Sequence, residues 1–177
     1  MRAAPQTLIA GWLLLAALAL SLAGCGSRPT GGPERAEAAR QLFLNTVSNL
    51  HLPSALAAPA ERRRLQEEAA ASYARLLKEY PEQDLYAAQA CRNLGNLHAA
   101  RTNLAEAVRC YREVGTRYAA QEWEVVQAWK SAGDLLWEAG RPAEAIPFYR
   151  QLVSRFDQTN QPAVIRLVVK GARSRLP

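Results

Sequence analysis

Tyr73, Tyr111 and Tyr149 recur with a 38-residue period, and their surroundings recur with them. Ala69, Ala107 and Ala145 keep that interval one helical turn earlier, and Gly95 and Gly133 keep it on the preceding segment. A fixed period of about 20 to 50 residues marks an array in which each unit covers its apolar face only by stacking on the next. The spacing therefore predicts an all-α chain, an α-solenoid of helical hairpins with a 38-residue period. Such a stack offers a surface for binding.

The start of the chain carries a second pattern. Arg2 is the only charged side chain before Cys25, and an apolar run from Leu8 to Ala23 follows it. A basic tip, a short apolar stretch and small residues at its end read as a secretory signal, residues 1–24. Leu8–Gly24 is 17 residues, at the lower edge of what spans a bilayer at a rise of about 1.5 Å per residue. The closing residues Leu22, Ala23, Gly24 and Cys25 resemble the lipobox of bacterial lipoproteins. That resemblance implies cleavage after Gly24 and acylation of Cys25, which then becomes the membrane attachment. An ordinary signal peptide or a retained anchor helix is the alternative. Gly26 in place of an acidic residue resembles the outer-membrane sorting pattern. The expected location is the cell envelope, on the periplasmic face of the outer membrane.

Cleavage would leave 153 of 177 residues, enough for one domain with an apolar core. The basic residues then number 21 against 16 acidic ones, a mild net charge of about +5. No stretch interleaves aromatic residues with dense Lys and Arg, so nucleic acid is not an expected partner. Arg62, Arg63 and Arg64 form the only basic run. With Glu61, Glu67 and Glu68 beside them, they read as a solvated helix face.

Residues 25–33 form a linker, whose eight residues from Gly26 to Pro33 would span on the order of 15 Å. Residues 34–59 hold a helix from Glu34 to about Leu50 and a Pro-containing connection, Leu52–Pro59. The repeat domain covers 60–177. Its expected helices are Glu61–Tyr80, Gln83–Arg101, Leu104–Tyr118, Gln121–Ala139, Pro142–Phe156 and a last one from Asn160 to about Ser174. Pro81 stops the first, Asn103 caps the third with Glu106 three residues on, and Gly140 and Pro142 separate the last hairpin's helices. Pro147 predicts a slight bend.

Leu94, Gly95, Ala107 and Tyr111, then Trp129, Gly133, Gly140, Ala145 and Tyr149, resemble tetratricopeptide repeats. In that reading Gly95 and Gly133 make room for Ala107 and Ala145, while the larger residues fill the layers around them. The likeness covers roughly residues 61–176, as two full units between half-units. Leu65–Pro81 matches a second helix lacking its first, and Pro162–Ser174 a first lacking its second. The period is longer than the family's usual one, and Cys91 and His98 replace the larger residues expected there. The chain is most similar to envelope members, among them the lipoprotein subunit of the outer-membrane β-barrel assembly machine and periplasmic cell-division coordinators.

The resemblance places a partner-binding groove on the first helices of the hairpins. Gln89, Arg92 and Asn96 line it in one unit, and Gln127, Lys130, Asp134 and Trp137 in the next. Trp137 is the expected anchor, because aromatic residues dominate interface energetics; burial beneath Tyr149 and Phe148 is the competing reading. Arg92 and Asn96 match the first pair of the family's carboxylate clamp, but Ser131, Ile165 and Val169 fill its other places, so the clamp is rejected. The last helix carries Val164, Ile165, Val168, Val169 and Ala172 on one side and Arg166, Lys170 and Arg173 on the other. A solubilising cap and a dock for an acidic partner or anionic lipid both fit it.

Cys91 and Cys110 fall on the two helices of one hairpin, at similar height. A disulfide, which needs Cα atoms about 4.4–6.8 Å apart, and a pair of small buried thiols are both open readings. His51 and His98 have no Ser or Asp at a spacing that activates a nucleophile, and no Gly-rich phosphate loop or metal-ligand cluster occurs. No cofactor, metal or small-molecule substrate is expected, and an enzyme is not. The function expected is a lipid-anchored periplasmic adaptor that binds a protein partner in envelope assembly. Two alternatives remain: a structural subunit packed permanently in a larger complex, exposing an apolar end near Leu42 and Phe43, or a redox or enzyme accessory protein using Cys91 and Cys110.

Overall fold

Helices account for nearly all of the described backbone. The computed structural model describes residues 32–177, so the expected signal peptide, Cys25 and most of the linker lie outside the described residues. The elements are α1 (Pro33–Thr46), a five-residue π-helical turn (Val47–His51), α2 (Leu52–Leu56), α3 (Pro59–Glu79), α4 (Asp84–Ala100), α5 (Leu104–Arg117), α6 (Glu122–Glu138), α7 (Pro142–Phe156) and α8 (Ala163–Arg173). No strand occurs among the described residues. None of these helices is long and apolar enough to cross a membrane.

The central pairs α4/α5 and α6/α7 repeat with the 38-residue offset, α7 running one residue longer than α5. Asn103 begins α5 by accepting a hydrogen bond on its side-chain oxygen from the Glu106 amide, 3.4 Å away. Gly140 ends α6 in the left-handed conformation, φ +72°, and the Arg141 amide donates back to the Leu136 carbonyl at 2.9 Å. One period earlier the same turn is made by Thr102, at φ +59°, with the Asn103 amide donating to His98. Helix α7 runs through Pro147 unbroken.

The glycines make room for the repeated tyrosines. A Cβ on Gly95 would lie 2.7 Å from Cε1 of Tyr111, and one on Gly133 2.6 Å from Cε1 of Tyr149. The tyrosine rings, one turn beyond Ala107 and Ala145, occupy the space. Ala107 and Ala145 are themselves fully buried. Gly115 serves the neighbouring contact, with the Trp129 indole packed over the place its Cβ would take.

The N-terminal segment departs further from expectation. Leu52–Pro59 is not a loop, since α1 passes through the π turn directly into α2. Pro53 lacks an amide and its ring clashes with the carbonyl four residues back in a regular helix. The π turn shifts bonding back one residue, the Leu52 amide reaching the Val47 carbonyl, and so accommodates it. The segment α1–π–α2 packs on α3, giving that helix the partner it was expected to lack. Leu42 and Phe43 therefore lie against the core, the Phe43 ring 6.1 Å from that of Tyr73. They are not an open end.

Two rows result. Contacts run α1–α4, α4–α6 and α6–α8 within one row, while α3, α5 and α7 each nest between helices of that row with their backbones apart from one another, α5 and α7 meeting through side chains, the Arg112 guanidinium 5.8 Å over the Phe148 ring. The core is one continuous cluster from Ala69 to Ala172, in which Tyr73, Tyr118, Tyr149 and Phe156 are the largest wholly buried side chains. Leu76, Leu136 and Leu152 are buried as completely, each contributing about 1.5–3 kcal/mol relative to exposure.

The 38-residue register stops at α8. That helix starts at Ala163 because Pro162 disfavours helix in the residue before it. It buries Ile165, Val169 and Ala172, whose register mates in α6 are the polar Gln127, Ser131 and Asp134. Gly171, the register mate of Gly95 and Gly133, faces open space.

Candidate functional site

The row α4–α6–α8 carries every residue expected to line the groove. Local helical spacing puts Arg92 and Asn96 one turn apart on α4, and Lys130, Asp134 and Trp137 on successive turns of α6. The structure engages most of them internally.

Glu124, in the first turn of α6, is nearly wholly buried, its side chain 5% exposed. Arg92 reaches across from α4 and donates from Nε to its Oε2 at 2.6 Å, and Gln89 donates to Oε1 at 3.4 Å. Arg92 and Gln89 thus join α4 to α6. Asn96 accepts the Tyr111 hydroxyl proton at 2.8 Å, and Asp134 accepts that of Tyr149 at 2.8 Å while pairing with Lys130 at 2.5 Å. In the first hairpin His51 takes the equivalent place. The Tyr73 hydroxyl lies 2.9 Å from His51 Nδ1 and accepts from the Asn93 amide at 3.2 Å, so it links the π turn to α4. Each repeated tyrosine ties its own hairpin together.

Burial raises the Tyr73 and Tyr111 hydroxyls to about 12, and burial with the Asp134 contact raises Tyr149 as well. Burial first, and the charge of Arg92 second, lower the pKa of His51. These groups are neutral bridges at physiological pH.

Trp137 is half-buried. Its ring lies 6.3 Å from that of Tyr149, and the Arg175 guanidinium stacks over it at 4.9 Å. Gln127 is also half-buried. The open part of the row is a cleft of about 380 Å³ between α6 and α8. Lys130, Asp134 and Arg175 form its polar rim, Leu167 and Val168 its apolar side, and Tyr149 lines it as well. Leu167 is 70% exposed. An apolar shelf beside two cations and one carboxylate suits an apolar side chain next to an acidic one.

Sequence spacing found Lys130 and Asp134 but missed the Glu124 anchor, the tyrosine hydroxyls and Leu167. Only Glu124 left a trace: it stands one period after Tyr86, a charge at an otherwise aromatic place.

Cys91 and Cys110 are free and buried, and Cys91 Sγ donates to the Cys110 carbonyl at 3.3 Å. The contact between the thiols raises the pKa of Cys91, which burial reinforces, and lowers that of Cys110. Among the described residues no group of three or more His, Cys, Asp or Glu side chains gathers about one point. Comparison of the chain with family models, with curated proteins and with solved structures finds no match.

Proposed function

We propose that this chain is a lipid-anchored adaptor of the bacterial envelope, a tetratricopeptide-like α-solenoid that binds a protein partner along the α4–α6–α8 row as an accessory to envelope assembly. The observation that carries the reading is the α6–α8 cleft, where Leu167 and Val168 meet Lys130 and Arg175. Closer backbone approach within that row than within α3–α5–α7 supports a curve that turns the row inward, so the cleft is the open end of a groove. The partner segment carries an apolar residue flanked by carboxylates. Trp137 contributes as the wall under Arg175 rather than as a free anchor.

Site-specific photocrosslinking in intact cells tests this. A crosslinker at position 167 should capture a defined envelope protein, and Lys130→Glu together with Arg175→Glu should abolish the capture. Equal capture from position 150, on α7, would sink the groove. The anchor is tested separately: Cys25→Ser should remain uncleaved or leave the membrane fraction.

A further inference from the structure

The edge of the molecule formed by α2, the start of α3 and the α4–α5 turn sets bare leucines beside arginines. Residues 41–60 contain no Asp, Glu, Lys or Arg, and Arg62, Arg63 and Arg64 follow directly after Glu61. Within the uncharged stretch Leu44, Leu52 and Leu56 are exposed, Leu56 at 94%. The π turn brings them together. It holds more residues per turn than an α-helix, which returns Leu52 to the side of Leu44, and Leu56 follows one α turn later. Leu56 is the last residue of α2 and projects at the tight corner Ala57–Ala58 before α3.

Beside that corner lies a cavity of about 320 Å³ lined by Arg62, Arg63, Arg101 and Glu67. Its three guanidiniums are poorly matched by acid. Arg62 donates to the Ala57 carbonyl at 3.0 Å, and Arg63 meets no carboxylate among the described residues. Arg101 stands 3.9 Å from Glu67, and its Nη2 is shielded from water with no acceptor in hydrogen-bond range. Glu61 and Glu68 are taken by Arg64. Three guanidiniums around one carboxylate, Glu67, leave a cationic excess that suits an added anion.

We infer that this edge is a second membrane contact, at which Leu52 and Leu56 enter the interfacial layer while Arg62, Arg63 and Arg101 take the phosphates of anionic lipid headgroups. A free phosphate would explain the guanidiniums but not the bare leucines beside them. A second copy of the chain would explain the leucines but would bring the arginine clusters together. An uncharged surface with exposed leucine, bordered by arginine, has the chemistry of an interfacial lipid contact. The contact rests on the membrane-anchored reading above and extends it, and it fixes which side of the domain faces the lipid.

Hydrogen exchange on the full chain tests it, with the chain mixed with phosphatidylcholine vesicles or with vesicles of phosphatidylcholine and phosphatidylglycerol in a two-to-one ratio. Each guanidinium near an anionic surface strengthens association about fivefold, so three give a difference of about a hundredfold. Amides of residues 55–64 should exchange markedly slower on the anionic vesicles only. Arg62→Glu with Arg63→Glu should erase that protection, and Leu56→Ser should weaken it. Equal exchange on the two vesicle types overturns the inference even when the chain sediments with both, an outcome that leaves the N-terminal anchor standing. Equal protection by inorganic pyrophosphate without vesicles, or protection that rises with protein concentration alone, overturns it in favour of a free anion or self-association.

Discussion

Gly133 and Tyr149 share one space: a Cβ on the glycine would stand 2.6 Å from Cε1 of the ring, and the hydroxyl beyond reaches Asp134 at 2.8 Å. Gly133→Ala must push a wholly buried ring off both contacts, at a cost of about 1–3 kcal/mol. Gly171, in the same register, has nothing within 4 Å of the position its Cβ would take. There Gly→Ala should instead stabilise α8 by about 0.5–1 kcal/mol through helix propensity. Urea unfolding of the two variants should show shifts of opposite sign.

Thr102 and Gly140 hold the same left-handed turn one period apart. A β-branched residue is strained there, and glycine is not. Thr102 is exposed, and its hydroxyl bonds only to the neighbouring Arg101 carbonyl, so replacement removes little else. Thr102→Gly should raise stability by about 1 kcal/mol. An unchanged denaturation midpoint would mean the turn relaxes in solution.

The 38-residue period made the two central hairpins legible, because tyrosine, alanine and glycine recur wherever helices approach closely. The identity of the contacts was not. The atoms nearest a Cβ on Gly95 belong to the Tyr111 ring, which reaches back from one turn beyond Ala107. The N-terminal pairing was hidden by Pro53 and Pro59, which read as breaks, whereas a π turn absorbs the first and the second begins α3. Of the groove, spacing placed Arg92 and Lys130 on one row of helices. It carried no information about Glu124, because an ion pair between residues so far apart in sequence depends on how two helices abut. At α8 the repeat register failed for a stronger reason: Ile165, Val169 and Ala172 offer a better apolar face than the register positions, and burial decides which side turns inward.

His51 gives the fold a pH dependence. Burial, with the charge of Arg92 behind it, lowers its pKa in the folded chain, while the unfolded imidazole titrates near about 6.5. Below that value the unfolded chain takes up a proton that the fold resists. Stability is therefore complete above about pH 6.5 and falls as the pH drops through it toward the lower folded value. His98, lowered by its own burial, acts in the same direction. His51→Gln, which keeps a hydrogen-bonding group beside the Tyr73 hydroxyl, should reduce the loss of Tm between pH 7.5 and 5.5. An unchanged loss in this variant would remove His51 as the cause.

The Arg92–Glu124 pair should behave as a unit. Glu124 is 5% exposed and holds both Arg92 and Gln89, so its removal leaves a guanidinium facing a partly buried space with no acceptor. Glu124→Ala should cost about 3 kcal/mol, and Arg92→Ala, which strands a carboxylate, at least as much. Replacing both by apolar residues of similar volume, Arg92→Met with Glu124→Leu, should recover most of that loss, because desolvation of two charges consumes most of what their attraction supplies. A double-mutant cycle in urea reads the coupling directly. Additive single costs would place the two side chains apart in solution, and with them the α4–α6 contact.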